Sequence, residues 1–153
     1  MLNHAEIAAR IPHQGSMCLL DGVLDWSPEH IRCRAISHRD AANPLRAENR
    51  LGAACGIEYA AQAMALHGSL AGADDQPPRQ GYLASVRSVI LHVGRLDDIA
   101  EDIEVSAERI SGDGAFVMYA FTVQAGSRCL VEGRASVVLD ATALAPVSGA
   151  QRP

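Results

Sequence analysis

The sequence predicts an α+β domain in which a strongly curved antiparallel sheet wraps one buried helix. Three features carry this reading. A segment near Leu51–His67 is rich in alanine and apolar almost all round, as a helix buried on most sides must be. Four strand-like segments follow it from Tyr82 onward, joined by short connections. Two shorter alternating segments precede it.

Taken in order, Asn3 is placed to cap a short helix over Asn3–Arg10, which must end before Pro12. Met17–Trp26 and His30–Ser37 read as strands, with Ser27-Pro28 at the turn. In the second, Ile31, Cys33 and Ala35 alternate with Arg32 and Arg34, the pattern of a half-buried strand. Residues 38–50, "HRDAANPLRAENR", read as a loop, and the helix from Leu51 ends at Gly68 as its C-cap. "GSLAGADDQPPRQG" is a loop by its Gly, Asp and Pro content. Tyr82–His92 is the next strand. The one after it alternates Ile103, Val105 and Ala107 with Glu104, Ser106 and Glu108, then turns at "SGDG". Ala115–Val123 is apolar on both faces and reads as a central strand, and Cys129–Leu139 alternates again. The tail from Ala141 has no core pattern, so residues 1–140 form a single domain and 141–153 a flexible tail.

Composition excludes several function classes. The 153 residues are 48% hydrophobic and 20% charged, ordinary for one globular domain. A net charge of −5 without a basic run argues against nucleic-acid binding. No apolar stretch reaches the roughly 20 residues of a membrane span, and Met1–Arg10 is too polar and short for a secretory signal, so a cytoplasmic protein is expected. Cys18, Cys33, Cys55 and Cys129 contain no Cys-x-x-Cys spacing, so neither a metal nor a redox motif is expected; they read as reduced thiols. Nothing calls for a cofactor.

One residue breaks the helix pattern. Glu58 is the only charged residue between Arg50 and Asp74, and burying an unpaired carboxylate costs several kcal/mol or more. Either an arginine such as Arg34 or Arg87 neutralises it, or it lines a closed pocket and transfers protons. Gln62, four residues on, shares its helix face and is placed to orient the carboxylate or a substrate. Gly52 and Gly56 leave the helix start bare, so amides from Ala53 to Gly56 are candidates to bind a carbonyl oxygen gaining charge.

These residues carry a family resemblance. "IPHQGSMCLLDGVLDW" resembles the P-H-x-x-P-F-L-L-x-D opening of bacterial 3-hydroxyacyl-carrier-protein dehydratases. "GIEYAAQAMA" resembles the E-A-x-A-Q segment of their central helix, and "GYLASVRSVILHVGRLDD" the strand that runs to their Pro-Gly-Asp turn. The likeness covers roughly residues 5–140 and implies a hot-dog fold, at least a dimer with interfacial active sites, and loss of water from a 3-hydroxyacyl thioester of acyl carrier protein to give a trans-2-enoyl thioester. It maps the family's acid onto Glu58 and its glutamine onto Gln62. Where the family has a histidine in G-H-F-P, fourteen residues before that acid, this chain has Pro44, and the usual Pro-Gly at the helix start is Gly52-Ala53. The P-H-x-G-x-M-x-L-L-D and G-I-E-Y-x-A-Q patterns are closer to the divergent ApeP-type branch associated with aryl-polyene pathways.

The resemblance places the loop of His13 near the tunnel mouth, making His13 the first candidate for the second catalytic group and His38 the alternative. His13 can equally be a turn residue that only supports its loop. His4, His30, His67 and His92 are expected at surfaces or element ends, Asp21 in a structural role, and Tyr59 in core or interface. A hot-dog thioesterase, or a non-catalytic acyl-binding subunit of a dehydratase heterodimer, are the competing functions. A homodimer and a heterodimer with a related dehydratase both fit.

Overall fold

The computed structural model describes residues 1–12, 15–72, 82–113 and 115–138. Its elements are α1 (His4–Ala8), β1 (Gly22–Ser27), β2 (His30–Ala35), α2 (Gly56–Ala71), β3 (Tyr82–Leu91), β4 (Ile103–Gly112), β5 (Phe116–Ala125) and β6 (Arg128–Val138). The strands form one antiparallel sheet in the order β1-β2-β4-β5-β6-β3, and α2 packs against β2, β4, β5 and β6. This is the hot-dog arrangement, with β5 an inner strand as expected, although only one of its faces is fully buried and the other is half-buried. Among the described residues no helix is long and apolar enough to cross a membrane.

Local chemistry sets the element ends. Asn3 caps α1 through a capping box with Glu6, at 3.0 Å and 2.9 Å. β1 begins at Gly22 rather than Met17. Met17 closes a 3-10 turn over Gly15–Met17, and the Leu19 amide is bonded to a side chain of α2, so it cannot join a ladder. Pairing with β2 starts only at Asp21, whose amide donates to the Arg34 carbonyl at 2.8 Å.

The central helix is shifted relative to Leu51–His67. A 3-10 turn over Ala53–Cys55 leads into α2, which continues through Gly68 to Ala71, with Gly72 as its cap in extended conformation. A mid-helix glycine costs about 1 kcal/mol, which one further turn carrying Leu70 against the core offsets. The segment entering α2 is held by the loop after β3. Leu51 N–H donates to the Asp97 carboxylate at 3.0 Å, Leu96 N–H to the Leu51 carbonyl at 2.8 Å and Ala53 N–H to the Gly94 carbonyl at 3.1 Å.

Gly56 lies at a close contact between helix and sheet. A Cβ there would sit 3.1 Å from Val131 Cγ2 and 3.6 Å from Val123 Cγ2. The glycine therefore lets the start of α2 rest on β5 and β6.

Candidate active site

Glu58 projects from the first turn of α2 and is half-buried. Gln62 is fully buried, and its amide makes three bonds within the protein. Nε2 donates to Glu58 Oε2 at 3.1 Å and to the Met17 carbonyl at 2.7 Å, while Oε1 accepts from the Leu19 amide at 2.9 Å. Both amide protons are used. Of its two anticipated roles, Gln62 thus takes that of orienting Glu58 and clamping residues 17–19 to α2, and is not exposed for substrate. Of the two arginines named as neutralising partners for Glu58, Arg34 pairs with Asp21 and with Asp102 at 3.1 Å, and Arg87 is exposed on β3.

The helix start offers fewer donors than the bare glycines suggest. Ala53, Cys55 and Gly56 amides already donate to Gly94, Gly52 and the Ala53 and Ala54 carbonyls respectively. Gly56 packs on Val131, and Gly52 has open space where a side chain would stand. Within this turn the exposed Ala54 amide is the one without an acceptor among the described residues.

A cleft of about 660 Å³ opens beside this constellation, between residues 15–21 and 36–44. Cys18, Leu19, Asp21, Ser37, Asn43 and Pro44 are among its walls. Pro44, at the position where the resembling dehydratases carry histidine, therefore faces open space. Glu58 is not part of the lining; the link between them is Leu19, which lines the cleft and bonds Gln62.

A second polar network, not legible in the sequence, shapes the cleft. The buried Tyr59 hydroxyl meets Ser37 Oγ at 2.8 Å and accepts from Asn43 Nδ2 at 3.1 Å. Ser37 Oγ donates to the Leu19 carbonyl at 2.8 Å, and Asn43 Nδ2 to the Ser37 carbonyl at 2.9 Å. Burial pushes the Tyr59 hydroxyl above its usual pKa, so it stays a neutral donor and acceptor. Tyr59 thus holds the 36–44 wall to α2, and Ser37 ties that wall to the 15–21 wall through Leu19. Asp21, holding Arg34 across the β1 edge, has the structural role expected of it.

His13 lies outside the described residues. His38 is buried, and its Nε2 donates to the Ile99 and Glu101 carbonyls at 3.1 Å and 3.0 Å. Desolvation lowers its pKa, and it does not line the cleft, so it anchors the loop before β4. His67 departs from expectation. It is 1% exposed in the core, where Nε2 donates to the Ser27 carbonyl and Nδ1 accepts from the Tyr119 hydroxyl, both at 2.7 Å. Because α2 runs on to Ala71, His67 is not at the helix end but on the side of α2 that is buried, which explains the difference. Burial lowers its pKa and pushes Tyr119 up to about 12.

A family model described as ApeP-like, ApeP dehydratase, matches residues 5–145. Among solved structures, the chain is similar to the dehydratase heterocomplex ApeI:P from Xenorhabdus doucetiae, at 21% identity and TM-score 0.79 over 93% of this chain and 96% of that one. It is also similar to a thioesterase from Haemophilus influenzae, at 8% identity and TM-score 0.64 over 90% of each chain. Thioesterase superfamily member 2 from Mus musculus matches at 13% identity and TM-score 0.55, over 76% of this chain and 80% of that one. At these identities the likeness is one of fold. No curated protein matches.

Proposed function

Because the chain belongs to the ApeP-like dehydratase family, we propose that it removes water from 3-hydroxyacyl thioesters of acyl carrier protein, giving trans-2-enoyl thioesters. The observation that carries this reading is the Glu58–Gln62 pair: a lone carboxylate on the central helix, held at 3.1 Å by a buried amide that also fixes the adjoining cleft wall.

In the reaction, His13 takes a proton from C2. The C2–C3 double bond forms as the C3–O bond breaks, and Glu58 protonates the leaving hydroxyl, which departs as water. Residues Gly15–Met17, which follow His13 in the chain, are bonded through the Met17 carbonyl to the same Gln62 that orients Glu58. Polarising the thioester carbonyl falls to the Ala54 amide, since its neighbours are committed. Gly52 keeps the approach to this turn free of a side chain, and the acyl chain lies along the cleft.

The active form is a dimer, with itself or with a related dehydratase. β3 is an open edge on which Leu83, Ile90 and Leu91 are 42%, 51% and 47% exposed, an aggregation hazard unless another strand covers it. The opposite edge is partly covered already, since the Val23 amide of β1 donates to the Leu2 carbonyl at 3.1 Å. A partner strand at β3 would cover this edge.

The test is Glu58→Gln with a 3-hydroxyacyl carrier protein as substrate. Turnover is expected to fall by roughly 10²–10⁴, the contribution of one acid–base group; near-normal turnover would refute the proposal. A second reading, a non-catalytic subunit, is favoured by Pro44 facing the cleft. It expects no turnover alone, and activity from a partner dehydratase that Glu58→Gln leaves intact.

A further inference from the structure

On a regular strand, residues three apart point to opposite faces. Cys129 and Glu132 of β6 do not. Pairing with β5 runs Glu132↔Thr122 and Val131↔Val123, then Cys129↔Gln124, so Leu130 is an extra, bulged residue. The bulge reverses the alternation and brings Cys129 and Glu132 to one face, as bulges do when they re-aim a side chain. Val131 and Val123 point to α2, where they pack on Gly56, so this shared face is the outer one.

The third residue comes from β3. Ile90 pairs with Glu132, and His92, two residues on, falls on the same face, with its amide donating to the Leu130 carbonyl at 2.9 Å. His92 Nε2 lies 2.7 Å from Glu132 Oε2, Cys129 Sγ lies 4.0 Å from the same oxygen, and all three atoms fall within 4.8 Å of one another. Tetrahedral coordination at ordinary zinc bond lengths separates ligand atoms by about 3.3–3.6 Å. Each pair here is thus within roughly 1.5 Å of what a single ion requires, at side-chain ends that are partly exposed and free to adjust.

We propose that His92, Cys129 and Glu132 form a site for a zinc-like divalent cation on the outer face of the sheet, with water as fourth ligand. The donor set of one imidazole nitrogen, one sulfur and one carboxylate oxygen selects zinc or cobalt over magnesium or calcium. Binding releases the Cys129 thiol proton to solvent and moves the His92 ring proton from Nε2 to Nδ1. Thiolate and carboxylate together neutralise the ion. Its effect is to staple the end of the edge strand β3 to β6, on the face of the sheet opposite Glu58. The site is invisible to a search for Cys-x-x-Cys, because a strand bulge and a neighbouring strand assemble it.

Titration of the full chain with Co²⁺ tests the proposal. A thiolate-to-cobalt charge-transfer band is expected in the wild type, saturating at one equivalent per chain. Cys55→Ser, which removes the other half-buried thiol, is expected to leave the band unchanged. Cys129→Ser abolishes it, and His92→Ala and Glu132→Gln each weaken Co²⁺ binding by at least about tenfold, the lower end of what even an outer partner of a metal ligand is worth. Absence of the band in folded wild-type protein, or its persistence in Cys129→Ser, overturns the site. Equal affinity in His92→Ala and wild type does the same should Cys129→Ser fail to fold.

Discussion

Replacing Gln62 by leucine isolates what the clamp contributes, because leucine fills nearly the same volume without polar atoms. Three bonds vanish together: to Met17 at 2.7 Å, to Leu19 at 2.9 Å and to Glu58 at 3.1 Å. The Leu19 amide belongs to a residue only 1% exposed, so water cannot replace its lost acceptor. Each backbone group left unpaired costs about 1–3 kcal/mol, giving about 2–6 for the two. The more apolar side chain returns about 1–2 kcal/mol. The midpoints of these ranges give a net loss of about 2.5 kcal/mol, a fall in Tm of roughly 10 °C for a domain of this size. Thermal unfolding followed by circular dichroism at fixed protein concentration measures it. Gln62→Glu separates clamp from electrostatics. It keeps an acceptor for Leu19 but sets a second carboxylate about 3 Å from that of Glu58, so one of the two holds a proton in the folded state. The folded pKa is then raised, and this variant is expected to approach wild-type stability below about pH 4 and to lose it as pH rises. A Tm for Gln62→Leu within about 2 °C of wild type would show that Gln62 does not hold residues 17–19, and the positioning of Glu58 would need another origin.

Two further outcomes follow from burial and from the open edge. His38 and His67 are both buried with pKa values lowered by desolvation, so the unfolded chain takes up their protons first. Their stabilising effect is complete above the unfolded value of about 6.5 and is lost as pH falls through the lowered values, at up to about 1.4 kcal/mol per pH unit for each histidine. Denaturant unfolding at pH 7.5 and at pH 5.5 reads this slope; a flat profile refutes it, and His67→Gln is expected to flatten it in part. At the edge, Leu83→Lys puts a charge on the exposed apolar face of β3 and is expected to shift the protein to monomer in sedimentation velocity, with an unchanged mass as the contrary result.

Much of the fold was readable because its signals are local. Alternation in Ile31–Ala35 and Ile103–Ala107 reports on neighbours in sequence and matched β2 and β4, while at "SGDG" β4 runs on through Gly112 and Gly114 lies outside the described residues. The boundaries that moved did so for non-local reasons. Met17–Asp21 left β1 because Gln62, more than forty residues away, binds the Leu19 amide and the Met17 carbonyl. The helix passed through Gly68 because Leu70 had a core to enter.

The same division runs through the site. By itself the sequence determined that Glu58 is the one charged residue of a buried helix with Gln62 one turn away, since helical periodicity and the cost of burying a carboxylate are properties of the segment. Only the tertiary structure decided that Gln62 spends its amide on the protein and that most amides at the helix start are already bonded. It also decided that His67 is a core residue, and that a bulge at Leu130 brings Cys129 to Glu132. Each of these depends on partners or strand pairing from elsewhere in the chain. Hydrogen bonds saturate wherever folding brings a donor to an acceptor, and spacing along the sequence carries no record of those meetings.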